Sequence, residues 1–509
     1  QQIYNTFIET GMGKSFDAAT RQKSSASVSS KGVYDRFLDL HYAALWKSDS
    51  LFIREFRLNE KKDTSYVRDE QVNYVIGSGQ HTNSHLQTVN GYVNQMPMTW
   101  YTQKKKWDLP PGFEDGVNTR FSRKIGLECM SCHNAYPDFV MGSENKFTHL
   151  PSGIDCERCH GPGSIHVAQR SSEPMIDTAR YIDYSIVNPS KLAVERQFDI
   201  CQRCHLQGNA VLKEGKSFFD FKPGQVLSDY MSVFVPRYSN ADETFIMASH
   251  AERLKQSPCF IKSHEKTADA GQLKPGGNSL TCITCHNPHV SVKATNTNVF
   301  NDACIRCHSD SEKKMNVNVT AAHTGVKNWN NCVSCHMPLS GASDIPHVSV
   351  HDHFIRKPLA KKELARIKQF LGLYAVNDKQ PDALTRAQAY INQYEKFEQE
   401  PFYIDSALLI LNKQKTDVRN FHALVQIYFI KRRYSQIISL VNAQGGKKVF
   451  ETLIRTKSYD NRDAWTAYRI AEAFYAVNEL QKSKDWFGKA VALAPFNLDF
   501  RNKYGSVLV

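Results

Sequence analysis

No run of apolar residues in this 509-residue chain is long enough to cross a bilayer, and hydrophobic residues make up only 41% of it, so it reads as soluble with no transmembrane segment. The chain does not open on the basic, apolar and small-residue succession of a signal peptide. It begins Gln1-Gln2-Ile3, and the expectation is that export and cleavage have already occurred, or that residues upstream of Gln1 are missing. Long segments of helical periodicity are scarce before Pro358, where Gly, Pro, Asn and Ser are frequent, which argues against a helix bundle there. A basic stripe interleaved with aromatics is also lacking, so nucleic acid is not an expected partner despite a formal charge of +13. Cysteine outside a repeating pattern is nearly absent. Of 13 cysteines, only Cys259 stands alone, and a buried, inert thiol is the expectation for it.

The remaining cysteines form six pairs of one kind: Cys129-x-x-Cys132-His133, Cys156-x-x-Cys159-His160, Cys201-x-x-Cys204-His205, Cys282-x-x-Cys285-His286, Cys304-x-x-Cys307-His308 and Cys332-x-x-Cys335-His336. Two thiols one turn apart can add to the two vinyl groups of a haem, and the imidazole that follows then lies under the iron as proximal ligand. Zinc knuckles also use paired cysteines, but zinc does not require a histidine directly after each second one. The motifs therefore imply six covalent haems of the c type, attached outside the cytoplasm, and a periplasmic or extracellular protein. Haem propionates also give the 64 Lys and Arg a role as counterions.

Function turns on the sixth ligand of each iron. A second histidine makes a low-potential carrier, methionine raises the potential, and an open site can bind substrate. Thirteen of the 19 histidines lie outside the motifs. Local context favours His289, three residues past a proximal ligand, and His166, just after Gly161-Pro162-Gly163, where glycines allow close backbone approach. His81 follows Gly77-Ser78-Gly79, His323 precedes the last motif, and His347 and His353 follow it. His41, His85, His149, His264 and His351 are reserves, and His422 reads as structural.

Several stretches resemble a known group of multihaem cytochromes with doubled motifs and a tetratricopeptide tail, related to pentahaem nitrite reductase, hydroxylamine oxidoreductase and its tetrahaem partner. They are Thr10 to Phe16, Ile76 to His81, Gly153 to Gly163, Cys282 to His289, Cys332 to Pro338, Asp344 to His347, and Asp352-His353. The resemblance implies distal ligands at His81, His166, His250, His289, His323, His347 and His353. In such proteins the segment resembling Gln2 to Phe16 follows a further haem motif, so a seventh haem attached upstream of Gln1 is implied. One of the seven histidines being no ligand accounts for the count equally well. The Cys-x-x-Cys-Lys attachment of nitrite reductase is not present, and no tyrosine stands out as a cross-linked one.

Three regions are expected. Residues 1–128 carry strand-like runs at Ser50 to Leu58 and Gly91 to Met98, read as β-hairpins that supply distal ligands. Residues 129–357 form the six-motif haem domain. Residues 358–509 are read as a TPR-like α-solenoid, on a helix-turn-helix unit from Ala464 to Asn497 closed by Pro495 and a looser copy around Phe421, Leu424, Val425 and Tyr428. The fold class is thus mainly α with extensive irregular structure. The expected function is electron transfer along mostly bis-histidine haems between redox partners, docked on the tail. Two alternatives stay open: a reductase or oxidoreductase of a nitrogen or sulfur compound with one open haem, and a self-assembling extracellular filament subunit.

Overall fold

The computed structural model describes residues 1–28, 31–172, 176–177, 181–206, 208–239, 248–268, 279–308, 323, 325, 331–342, 344–358, 369–414, 418–454 and 458–509. The front of the molecule is a pair of antiparallel sheets. One is a four-strand meander, Val33–Asp35, Leu40–Lys47, Ser50–Leu58 and Thr64–Gln71. The other runs Phe16–Ala18, Tyr74–Ile76, Thr82–Val89 and Tyr92–Tyr101, with Arg123–Lys124 and Lys106–Asp108 also paired to the last of these.

Alternation explains the pairing of faces. In Ser50–Leu58, Leu51 and Ile53 point inward and Arg54 outward. Leu51 and Ile53 meet Tyr42, Met96, Met98, Trp100 and Trp107, residues of both sheets, in one core. Asn90 and Gly91 take positive φ (52° and 82°) between Thr82–Val89 and Tyr92–Tyr101, as an Asn-Gly hairpin turn requires. A Cβ on Gly91 would also stand 2.6 Å from the Phe147 carbonyl oxygen.

The fold is mixed α/β rather than mainly α. The front is a two-sheet body, larger than the hairpins expected. Two strands obscured it: Thr64–Gln71 is almost wholly exposed and charged, while Thr82–Val89 buries Asn83, His85 and Gln87. Neither gives the apolar alternation on which strand recognition relies.

The motif region holds short helices and small sheets. One of these sheets pairs Asn209–Leu212 and Phe370–Ala375 with Met231–Tyr238, so hydrogen bonding crosses the expected boundary at 357/358. Beyond it the chain is helical: Ala383–Lys396, Pro401–Asn412, Phe421–Ile430, Tyr434–Ala443, Lys447–Thr452, Arg462–Ala476, Leu480–Leu493 and Leu498–Leu508. Asp382 caps the first and Asn497 the last. Ala467, Ile470, Ala471, Phe474, Phe487 and Ala490, the small and apolar positions of the 464–497 unit, share one buried core.

The helical tail is fastened to the front of the molecule. Asn461 donates to the Ser143 carbonyl at 2.7 Å, Trp465 Nε1 to Glu144 at 3.0 Å, and the Phe496 N–H to the Gly142 carbonyl at 2.9 Å. Lys124 pairs with Asp499 at 2.6 Å. Among the described residues, no helix is long and apolar enough to cross a membrane.

Candidate haem-binding site

Each of the six motifs lies on or closes a short helix: Leu127–His133, Glu157–His160, Val194–His205, Cys282–Cys285, Thr297–His308 and Cys332–His336. On a helix, residues three and four apart share a face. Each motif therefore presents two thiols and an imidazole to one side. All 13 cysteines are free of disulfides. Among the described residues, no three His, Cys, Asp or Glu side chains converge on one point, whereas a structural zinc site uses four.

The motifs stack on one another. The thiol of Cys132 lies against that of Cys204, Cys201 against Cys282, and Cys304 against Cys332. Helix Leu127–His133 packs on Val194–His205. The Thr297–His308 helix packs on both Cys282–Cys285 and Cys332–His336. Four links, first to third, third to fourth, fourth to fifth and fifth to sixth, thus run through the structure.

Imidazoles face each other in pairs. A metal–imidazole bond is about 2 Å long, so two rings on opposite sides of one metal have centres about 6 Å apart. His160 and His289 are 5.9 Å apart and nearly parallel, at 11°. His286 and His353 are 6.2 Å apart at 27°. His205 and His250 are 5.8 Å apart at 86°, and His323 and His336 are 6.0 Å apart at 71°. Each pair joins one motif histidine to one distal candidate. His250 and His353 also touch each other at 4.7 Å, so 205, 250, 353 and 286 form one file of four rings. His250 was singled out only by the family resemblance, since its local sequence carries no signal.

Local bonding prepares these rings as ligands. Nδ1 of His160 bonds the Val187 carbonyl at 2.8 Å, that of His336 the Arg356 carbonyl at 2.9 Å, and that of His353 the His351 carbonyl at 3.0 Å. Such bonds fix the ring and leave Nε2 outward. Burial favours the neutral form, the one that coordinates, at two of the distal rings: His353 is held down to about 4 and His250 to about 2. A buried ion pair between Arg253 and Asp352, with Arg253 Nε 2.8 Å from Asp352 Oδ1, ties the helix that begins at His250 to the segment after strand Ser349–His351 that carries His353. Ser257 adds a bond to the His353 carbonyl at 2.9 Å.

The other three candidates stand elsewhere. His81 meets Gln103 at 3.3 Å, and Gln103 also bonds Ser349. His166 meets Ser185 at 3.0 Å and Asp183 at 3.2 Å through Nδ1. His347 turns Nε2 to Asp108 at 2.9 Å and lies edge-on to Tyr101. Among the described residues, neither His133 nor His308 makes a ring contact with another histidine.

Of the reserves, His85 is a core residue bonded to the Met98 carbonyl and kept near pKa 4 by burial. His41 is stacked between Tyr34 and Phe56. His149 is exposed on strand Phe147–His149, His264 stacks on Phe260, and His351 bonds the Met337 carbonyl. His422 bonds Thr466 within the tail. Cys259 is half-buried rather than buried, and burial pushes its thiol up, which disfavours the thiolate.

Thiol pairs on helical turns, each followed by an imidazole, and imidazoles facing them at the spacing of two ligands on one metal, are the donor set of haem c. The chain is a multihaem c-type cytochrome. The family model for cytochrome c554 and c-prime matches residues 99–161, the stretch that holds the first two motifs. The multihaem cytochrome MtrA of Shewanella baltica (strain OS185) is 23% identical over 229 residues, 43% of this chain and 63% of that protein. The chain therefore spans less than two thirds of that relative's length. No solved structure matches.

Proposed function

We propose that the protein is an exported electron carrier that holds one haem on each of its six motifs and passes electrons along the row. The four histidine pairs at single-metal spacing are the observation that carries this reading. His133, His160, His205, His286, His308 and His336 act as proximal ligands. His289, His250, His353 and His323 oppose the second, third, fourth and sixth of these in turn. When bound, the haems supply one-electron chemistry; the protein fixes their spacing, axial ligands and surroundings. The stacked motif helices hold neighbours close, backbone bonds to Nδ1 orient the rings of His160, His336 and His353, and burial disfavours protonation of His250 and His353.

The tail is proposed as a tetratricopeptide-like docking surface for a redox partner. Its support is a cleft of about 2140 Å³ between tail and motif region, whose lining includes Cys129, Lys213, Arg432 and Trp465. A partner in that cleft would stand against the first attachment site. The second reading is a reductase with an open haem; the two motif histidines that meet no other imidazole among the described residues, His133 and His308, are where it would sit.

Low-temperature electron paramagnetic resonance of the oxidised protein, with a reductive titration, tests the proposal. Low-spin signals for the second, third, fourth and sixth haems and uptake of one electron per haem support the carrier. Dominant high-spin signals with oxyanion-dependent reoxidation would overturn it in favour of the reductase.

A further inference from the structure

The residue before the second cysteine divides the motifs into two classes. It is arginine in three, Arg158, Arg203 and Arg306, and a small hydroxyl residue in three, Ser131, Thr284 and Ser334. Each arginine donates to the backbone carbonyl of this same position in another motif. Arg158 and Arg203 both reach the Ser131 carbonyl, Arg203 through Nη1 at 2.8 Å, and Arg306 reaches the Thr284 carbonyl at 3.0 Å. The third motif is thereby bonded to the first, the second to the first, and the fifth to the fourth.

Arg158 and Arg203 differ from Arg306 in their surroundings. Both are buried, each 6% exposed, while Arg306 is exposed. Among the described residues, no carboxylate pairs with either buried guanidinium, and Nε of each has no hydrogen-bond partner. Both lie on the Phe219 ring, at 4.7 and 5.5 Å, and Arg158 also lies on Tyr136 at 5.0 Å. Arg203 Nη1 is 3.7 Å from Cys204 Sγ, and the Cys204 thiol is 3.7 Å from the same Ser131 carbonyl. One cation, Arg203, is thus held against an attachment sulfur of the third motif, and both converge on the Ser131 carbonyl beside Cys132 of the first, in a setting that screens charge poorly. Buried charge without a counter-charge is unfavourable, and added negative charge nearby relieves it.

Resting on the assignment of haems to these motifs, we propose that Arg158 and Arg203 raise the reduction potential of the haems on the first and third motifs, making that junction the place where electrons collect. One electron leaves a ferrous haem of a neighbouring motif, which becomes ferric, and reduces a ferric haem at the junction to ferrous. No bond and no proton changes hands. Arg306 is in water and has no such effect.

Potentiometric titration of the haem-loaded protein, followed by absorbance, tests this, with haem content measured by intact mass. R158Q and R203Q should each lower the highest midpoint potential by a tenfold change in the one-electron equilibrium, about 59 mV. R203K should retain most of the wild-type value and R306Q all of it. An unchanged highest potential in both glutamine variants at full haem content overturns the proposal, because it means haem propionates already neutralise the pair. If the glutamine variants lose haem, two chains of wild-type arginines decide instead. One lacks the first haem (Cys129→Ala with Cys132→Ala) and one lacks the third (Cys201→Ala with Cys204→Ala). At least one must lose the first electron taken up, and retention of that step in both overturns the proposal. A wild-type chain without six haems would instead refute the haem assignment itself.

Discussion

At the scale of the residue, the proposed assignment gives each distal histidine a separable effect, since the proposed covalent attachment and proximal ligand do not depend on it. His289→Ala should leave all haems attached and convert one haem from low to high spin, read by electron paramagnetic resonance. Unaltered low-spin signals would remove His289 as a ligand. A second prediction concerns Glu55, buried in the front sheets. Burial alone would raise its pKa, but bonds from Arg120 and Tyr66 outweigh burial and hold the carboxyl below its ordinary value. Its contribution is therefore present above the ordinary carboxylate pKa and lost as pH falls through the lowered one. Glu55→Gln should cost about 1–3 kcal/mol at neutral pH, and the difference from wild type should shrink as the solution is acidified, checked by denaturant unfolding across pH. The motif residues stand out in the sequence because two thiols and an imidazole recur at one fixed spacing, and the structure places each set on or at the end of a helix. Arg253 and Asp352 do not stand out: they lie 99 positions apart, and only folding brings them together.

At the scale of the element, strands and helices with clean periodicity were legible and the others were not. Ser50–Leu58 alternates and appears with the expected bounds. The 464–497 unit also appears as two packed helices with a short turn. Thr82–Val89 was not recognised, because it buries polar side chains, among them His85, whose Nδ1 bonds the Met98 carbonyl, and Gln87, whose Nε2 donates to the Phe121 carbonyl. The junction between tail and front gives a third prediction. Gly142 has φ of 78°, and a Cβ there would stand 2.7 Å from Pro495 Cδ. Gly142→Val should loosen the tail from the front while leaving the haems in place. Faster amide exchange over Leu498–Leu508 with an unchanged visible spectrum is the expected result, and unchanged exchange would show that the junction does not depend on this approach. A fourth follows from the Arg253–Asp352 pair. Asp352→Ala leaves a buried guanidinium without its carboxylate, a loss of about 3–5 kcal/mol, and should disturb the ligation of the haems facing His250 and His353 together, seen as paired changes in their resonance signals.

At the scale of the whole molecule, the order of the motifs is the feature that sequence could not supply. Spacing along the chain says that neighbours are close; it does not say that the first motif leans on the third. That contact comes from Cys132 with Cys204 and from Arg203 on the Ser131 carbonyl, which Arg158 of the second motif shares. Which histidines come to lie against one another was likewise hidden, because His353 meets His286 across 67 residues while His289 meets His160 of the second motif and not its own His286. The central claim is that every one of the six motifs carries a covalent haem. The intact mass of the haem-loaded chain measures this directly. The account predicts the polypeptide plus six haems, falling by one haem when the two cysteines of any single motif are replaced by alanine. A full-length chain with fewer than six, or a double alanine variant whose mass shows no lost haem, would contradict it.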